Sequence, residues 1–144
     1  MFSELLSKAL DGNQVAKAHP SYPAIIRQLS SDEALVLGKF WQRQSQAPYK
    51  RNYTMELRPD GRFYNQVTEL DEFPAHDLAF PTNLNFYIDH LFSLGLAGVY
   101  KDDEQPINTN GKQTGTRVLQ SLRLTPMGVR FMEAVSATSR ASPP

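Results

Sequence analysis

The stretch LRLTPMGVRFMEAV, from Leu122 to Val135, constrains the fold most, because its pattern changes from that of a strand to that of a helix. Thr125 is a good N-cap, since its hydroxyl accepts a hydrogen bond from a free amide while its backbone is still extended. Pro126 has a fixed φ that suits the first helical position, and it lacks an N–H that would need a partner. A strand therefore ends at this point and a terminal helix begins.

Gly128 lies inside the first turn of that helix, where glycine costs up to about 1 kcal/mol relative to alanine. A close contact with neighbouring backbone is the natural reason for a glycine there. Phe131 and Val135 are spaced to face the core, with Met127 and Met132 beside them. Each residue of the junction thus has a structural role, and none needs a catalytic one.

Two helices are predicted in the first third of the chain. A short one starts after Ser21 and ends at Leu29. A second follows the capping box of Ser30 and Glu33, in which each side chain satisfies a free amide at the other position. This second helix carries a broad apolar stripe for the core and is expected to end before Pro48.

A hairpin and a central helix are predicted next. The turn signal Pro-Asp-Gly at 59–61 separates two stretches rich in Tyr, Thr, Phe and Val, which indicates a β-hairpin from about Tyr53 to Val67. An acidic segment broken by two prolines follows and is expected to be mostly loop. The clearest helical pattern covers Thr82–Leu94, with Gly95 as its C-terminal cap.

The central helix precedes a strand, LAGVYK, a polar loop, DDEQPINTNGKQTG, and a returning strand, TRVLQSLRL, with turn chemistry at Asn110-Gly111. This order is typical of a winged helix. The predicted fold class is α+β and mainly helical: a winged-helix-like domain with an additional β-hairpin insertion. Residues 1–18 are assigned to an N-terminal helical appendage, 19–136 to the winged-helix-like domain and 137–144 to a disordered tail.

Composition excludes several classes of protein. The 144 residues suffice for one domain with a real core, and the absence of cysteine excludes disulfides and thiolate chemistry. No run approaches the roughly 20 apolar residues that span a bilayer, and the first residues do not resemble a secretion signal. A cytoplasmic location is predicted, with no membrane partner.

Charge is balanced overall but uneven along the chain. The formal net charge is zero, which removes the bulk attraction to nucleic acid that a basic protein has. Residues 39–62 carry six cations and two anions, whereas residues 69–104 carry one cation and eight anions. Two interpretations stay open: the charges attract a partner or a second copy, or they interleave once the chain folds.

Three blocks resemble a known family. They are the junction from Leu124 to Phe131, the segment HPSYPAIIRQLSSDEALVL (His19–Leu37) and the segment LFSLGLAGVY (Leu91–Tyr100). Together they make the chain similar to the C-terminal part of the abortive-infection alpha family of bacterial proteins. The resemblance implies a role associated with phage defence. It supplies no catalytic residue to carry over.

No catalytic residue, metal ligand or cofactor site is predicted. The histidines His19, His76 and His90 are far apart and lack the paired spacing that suits zinc. His76-Asp77 resembles a base with its orienting acid, but no nucleophile turn accompanies it. An enzyme would need a pocket in which His76 or His90 meets a second polar group at hydrogen-bond distance.

Nucleic-acid binding is the main alternative function, because winged helices often place the helix before the wing in the major groove. Residues 82–94 contain no Lys or Arg, and the predicted outward stripe is Thr82, Phe86, Asp89 and Ser93. Phosphates would be repelled by this acidic region. The cations that remain lie in the wing and the hairpin: Lys112, Arg117, Lys50, Arg51, Arg58 and Arg62.

The predicted function is therefore a non-catalytic protein-interaction or self-association module of a phage-defence protein. A winged-helix nucleic-acid-binding regulator is the alternative. The expected partner is a protein or a second copy, with no small-molecule substrate. The predicted interaction residues are Phe86, Asp89, Lys50, Arg51, Arg62, Lys112 and Arg117.

Overall fold

A computed structural model describes residues 19–141, with side chains through residue 136. Its elements in chain order are α1 (Tyr22–Gln28), α2 (Ser31–Gln42), β1 (Tyr49–Leu57), β2 (Phe63–Asp71), two short 3-10 turns (Ala75–Asp77 and Pro81–Asn83), α3 (Leu84–Ser93), β3 (Ala97–Thr109), β4 (Lys112–Leu124) and α4 (Pro126–Ala141).

The described residues form two compact units. The helical unit contains residues 19–46, 75–98 and 124–141, and the sheet unit contains residues 47–74 and 99–123. The predicted appendage of residues 1–18 and the end of the predicted tail, residues 142–144, lie outside the described residues. The predicted domain boundaries stay predictions.

The predicted fold class is wrong, because the chain is α+β but not mainly helical. Among the described residues, helix and strand are nearly equal, at 39% and 37%. The four strands of this part of the chain form one antiparallel sheet in the order β2-β1-β4-β3. The hairpin predicted as an insertion supplies two of these strands, since β1 pairs with β4 from Tyr49↔Leu122 to Glu56↔Gly115. This pairing satisfies backbone groups that an isolated hairpin would leave to water.

The prediction of a long polar loop between β3 and β4 is also wrong, because the connection is only two residues long. Both strands continue through its polar residues and meet at the predicted turn, where Asn110 has φ 52° and Gly111 has φ 77°. A two-residue turn with both φ values positive matches the twist of paired strands, so the ladder extends to the tip. The polar side chains of residues 108–114 are compatible with strand structure because they are exposed to solvent.

Helix α2 begins as predicted. The hydroxyl of Ser30 accepts a hydrogen bond from the Glu33 N–H at 3.1 Å, and a Glu33 carboxylate oxygen accepts one from the Ser30 N–H at 2.9 Å. Both members of the capping box are therefore formed. The helix ends at Gln42, before Pro48.

The core of the helical unit, in the part of the chain that the structure describes, is built from helices α1 to α4. Tyr22 of α1 lies edge-on against Phe131 of α4, with ring centroids 5.2 Å apart. The other buried apolar side chains include Ile25, Ile26, Val36, Leu37, Phe40, Leu84, Ile88, Leu91, Met132 and Val135. Within residues 19–141, no helix is long and apolar enough to cross a membrane.

The sheet unit buries one face. Tyr49 of β1 and its cross-strand neighbour Leu122 are buried, and Phe73 contacts the Tyr49 ring edge-on at 5.2 Å. Strand β2 forms an edge, and its pairing with β1 shifts register between Asn52 and Tyr53 and again between Thr54 and Glu56. These two bulges interrupt the regular ladder at this edge.

Candidate functional site on helix α3

Helix α3 and the segment before it expose three large aromatic side chains. Phe86 is 69% exposed, Phe80 is 64% exposed and Phe92 is 61% exposed. Leu84, Tyr87, Ile88 and Leu91 are the buried residues of α3, and their helical spacing determines which side of the helix faces solvent.

The exposed side of α3 has an acid between two aromatic rings. Phe86 and Phe92 are six residues apart, which places them about 120° apart around the helix axis and about 9 Å apart along it. Asp89 lies midway and is exposed, and within the described residues it has no ion-pair partner. We call Phe80, Phe86, Asp89 and Phe92 the phenylalanine surface.

The predicted outward stripe is exposed throughout, at Thr82, Phe86, Asp89 and Ser93. Sequence reasoning missed Phe80 and Phe92. The signal for Phe92 was available, because it lies three residues after Asp89 and therefore on the same side of the helix. No comparable signal marks Phe80, since the segment before α3 has no regular period.

A buried carboxylate holds Phe80 in place. Asp32 of α2 is 6% exposed and accepts hydrogen bonds from the Ala79 N–H at 2.8 Å, the Phe80 N–H at 2.9 Å and the Tyr87 hydroxyl at 2.8 Å. The backbone on either side of Phe80 is thereby tied to α2 and α3, although the phenyl ring faces solvent.

The pKa of Asp32 reflects these contacts. Burial raises the pKa of this carboxyl, but the hydrogen bonds from Ala79, Phe80 and Tyr87 together lower it further, so it lies below its ordinary value. Burial and the contact with Asp32 raise the pKa of the Tyr87 hydroxyl. Asp32 is therefore an ionised acceptor at neutral pH, and Tyr87 is a donor.

A second carboxylate of α2 meets His90. The Nδ1 of His90 lies 2.5 Å from an oxygen of Glu33, whose side chain is 5% exposed, and the other oxygen accepts the Ser30 N–H. This contact provides the second polar group that an enzyme would need beside His90. Both oxygens of Glu33 are nevertheless occupied in connecting α2 to α3 and in capping α2.

The other candidate sites for chemistry are dispersed. His76 is 82% exposed and lies 3.2 Å from Asp77, whose carboxylate also binds the Lys39 ammonium at 2.7 Å. His19 is exposed and bonds to Ser21. Among the described residues, no group of three or more His, Cys, Asp or Glu side chains is arranged to hold a metal ion.

Two of the predicted basic interaction residues are neutralised within the sheet. Arg117 binds both carboxylate oxygens of Glu69, at 2.7 and 3.2 Å, and Arg51 lies 3.3 Å from Asp71. The Arg117 contact also lowers the pKa of Glu69. Acids and cations that are segregated in the sequence are thus paired in the fold.

The remaining predicted cations are exposed. Lys50, Arg62 and Lys112 have no ion-pair partner within the part of the chain that the structure describes. Lys50 lies on β1, Arg62 precedes β2, and Lys112 begins β4 after the hairpin turn.

No curated protein and no solved structure matches the chain. The model of the abortive infection alpha family matches residues 1–135, which extends the likeness beyond the three blocks in the sequence to nearly the whole chain. The chain therefore belongs to the abortive infection alpha family, and its context is phage defence.

Proposed function

We propose that the chain is a non-catalytic protein-interaction or self-association module in phage defence, which engages its partner through the phenylalanine surface. The observation that carries this proposal is the exposure of Phe80, Phe86 and Phe92, each above 60%, within one short segment. Single exposed apolar side chains are ordinary on proteins, but clustered ones are typical of interaction sites.

The exposed area is the right size for the centre of an interface. An aromatic side chain contributes about 150–250 Å² of surface, so Phe86 and Phe92, which flank Asp89 and are about two-thirds exposed, offer roughly 200–330 Å², and Phe80 adds exposed apolar surface in the same segment. A stable interface buries about 800 Å² on each partner, with aromatic anchors at its centre and polar residues around them.

Rigid presentation also favours binding. Asp32 fixes the backbone at Phe80, and Glu33 with His90 connects α3 to α2. An anchor whose backbone is already ordered loses less conformational entropy on binding than one on a mobile loop. Both carboxylates accept hydrogen bonds that hold α2, α3 and the segment before α3 together.

The test compares two exposed phenylalanines. Phe86→Asp places a charge on the phenylalanine surface, whereas Phe63→Asp places the same charge at a 39%-exposed position on β2. We expect Phe86→Asp to abolish phage protection in a plaque assay or self-association in sedimentation, and Phe63→Asp to retain both. A folded Phe86→Asp protein with normal protection and association would contradict the proposal.

A further inference from the structure

Strand β3 is a long strand at the edge of the sheet. It has 13 residues, whereas strands of globular proteins usually have about five or six, and β4 is its neighbour in the sheet on one side only. Residues 99–109 are exposed or half-exposed along this edge. A long exposed edge offers unpaired N–H and C=O groups to a strand of another chain, so such edges usually carry a feature that prevents pairing.

The hairpin turn determines which backbone groups of β3 face the open edge. The residues that flank the two-residue turn, Thr109 and Lys112, form the first hydrogen-bonded pair of the ladder. Backbone groups of successive residues point to alternate sides of a strand, so those of Gln105 face β4 and those of Glu104 and Pro106 face the open edge. The Gln105 carbonyl accepts a hydrogen bond from a β4 hydroxyl at 3.3 Å, which agrees with this register.

The side chain of Asp103 occupies the N–H group of Glu104. One oxygen of the Asp103 carboxylate accepts this N–H at 2.8 Å, and the other accepts the side-chain amide of Gln105 at 3.3 Å. Hydrogen bonds to a carboxylate are stronger than those to a neutral carbonyl. An incoming strand could therefore bond to the Glu104 N–H only by displacing the Asp103 side chain.

Pro106 removes the next donor on the open side. Proline has no N–H, and within sheets it is found at edges, with its nitrogen toward solvent. Glu104 and Pro106 are successive outward positions and lie about 6.8 Å apart along β3. A strand added along this edge would meet two neighbouring positions without a free donor. We call Asp103 and Pro106 the edge block.

The charged side chains around Glu104 also oppose pairing. The Lys101 ammonium lies 3.1 Å from the Glu104 carboxylate, and the Asp102 carboxylate accepts the Ser121 hydroxyl at 3.2 Å. Residues 101–104 contain three acids and one cation. Two β3 strands that paired edge to edge over these residues would bring two acidic stretches together, and like charges on paired strands are unfavourable.

We propose that the edge block keeps β3 from pairing with a strand of a second copy. The other edge of the sheet is interrupted differently, by the two bulges of β2. With both edges closed to an added strand, contacts with a partner are left to side-chain surfaces. This inference goes beyond the proposed function, because it concerns a different part of the chain and does not depend on what the phenylalanine surface binds.

The experiment removes the edge block in the full chain. The double variant Asp103→Val with Pro106→Val frees one donor, adds another and supplies strand-forming side chains. Every protein compared also carries Phe86→Asp, so that the phenylalanine surface does not contribute. In sedimentation velocity over a range of concentrations, the double variant should self-associate with a dissociation constant at least about tenfold below that of the Phe86→Asp parent, because two more hydrogen bonds per strand become available.

The matched control is Glu104→Val with Asn108→Val, which also replaces one acid and adds two valines to β3 but leaves the edge block intact. It should associate no more than the parent. Amide hydrogen exchange locates the contact: association of the double variant should slow exchange at positions 104 and 106 and leave α1 to α4 unchanged. If the double variant does not fold in urea-unfolding controls, each single substitution opens one position and should show the same two changes to a smaller extent.

Three results would overturn the proposal. They are a folded double variant that associates no more than the parent, a control that associates as strongly as the double variant, and association without slower exchange at positions 104 and 106. None of these results bears on the phenylalanine surface, whose test compares Phe86→Asp with Phe63→Asp.

Discussion

Gly128 lies directly against the carbonyl group of Leu96. A Cβ atom on Gly128 would lie 1.9 Å from the Leu96 oxygen, far inside any tolerable contact. The same oxygen accepts the Thr125 N–H at 3.0 Å, and the Thr125 hydroxyl accepts the Gly128 N–H at 2.8 Å. The first turn of α4 is therefore packed against the segment that follows α3, as the sequence predicts for a glycine at this position.

Substitution of Gly128 by alanine should destabilise the protein despite the better helix propensity of alanine. Overpacking against rigid backbone costs about 1–3 kcal/mol, whereas the propensity gain is at most about 1 kcal/mol. Glu133→Ala on the exposed side of α4 is the control and should change the free energy of unfolding by less than about 0.5 kcal/mol. Urea denaturation measures both, and a stabilised Gly128→Ala would refute the packing argument.

Asp32 should contribute a pH-dependent part of the stability. The pKa of Asp32 is lowered in the folded state. Its contribution to stability is therefore fully present above the pKa of the unfolded chain, about 3.9. The contribution is lost as pH falls through the pKa of the folded state. Asp32→Asn should lower the free energy of unfolding by about 1–3 kcal/mol at pH 7. The difference from wild type should shrink below about pH 4. A difference that stays constant with pH would show that the charge of Asp32 is not involved.

The local elements of the helical unit were predictable because their signals are short-range. Three helix ends depend on residues within one turn: the capping of α2 by Ser30, the N-cap Thr125 of α4, and Gly95, which follows the C-cap of α3 with φ 78°. The burial of α3 followed from its apolar period. These features were confirmed because no distant part of the chain competes with them.

The sheet was harder to predict because its pairing is long-range. Nothing near Tyr49 in the sequence shows that β1 will pair with β4 rather than stand apart with β2. Charge patterning left two interpretations open for the same reason: Arg117 and Glu69 are 48 positions apart and meet only across the sheet, so their pairing could not be derived from the sequence. The site was half predictable, since the helical period gives Phe86 but not the exposure of Phe80.

Nucleic-acid binding should be weak. Arg117, one of the two cations predicted to contact phosphates from the wing, is held by Glu69, and its pKa is raised by that contact. We expect no detectable binding to duplex DNA at about 0.15 M salt, because electrostatic binding at this ionic strength requires several cations that are free to contact phosphates. A gel-shift or anisotropy assay tests this, with Lys112→Ala beside wild type. Binding that falls steeply with salt and weakens in Lys112→Ala would favour the alternative function.

The phenylalanine surface should be nearly neutral for folding. Phe86→Ala and Phe92→Ala remove exposed rings, so each should change the free energy of unfolding by less than about 0.5 kcal/mol. Leu91→Ala on the buried side of the same helix should cost about 2–5 kcal/mol, because it leaves a cavity. Thermal or urea unfolding of the three variants compares the free energy of unfolding for the exposed and the buried side of α3. A cost above about 2 kcal/mol for Phe86→Ala would mean that the ring is covered within the folded chain, and the surface would then have no free side for a partner.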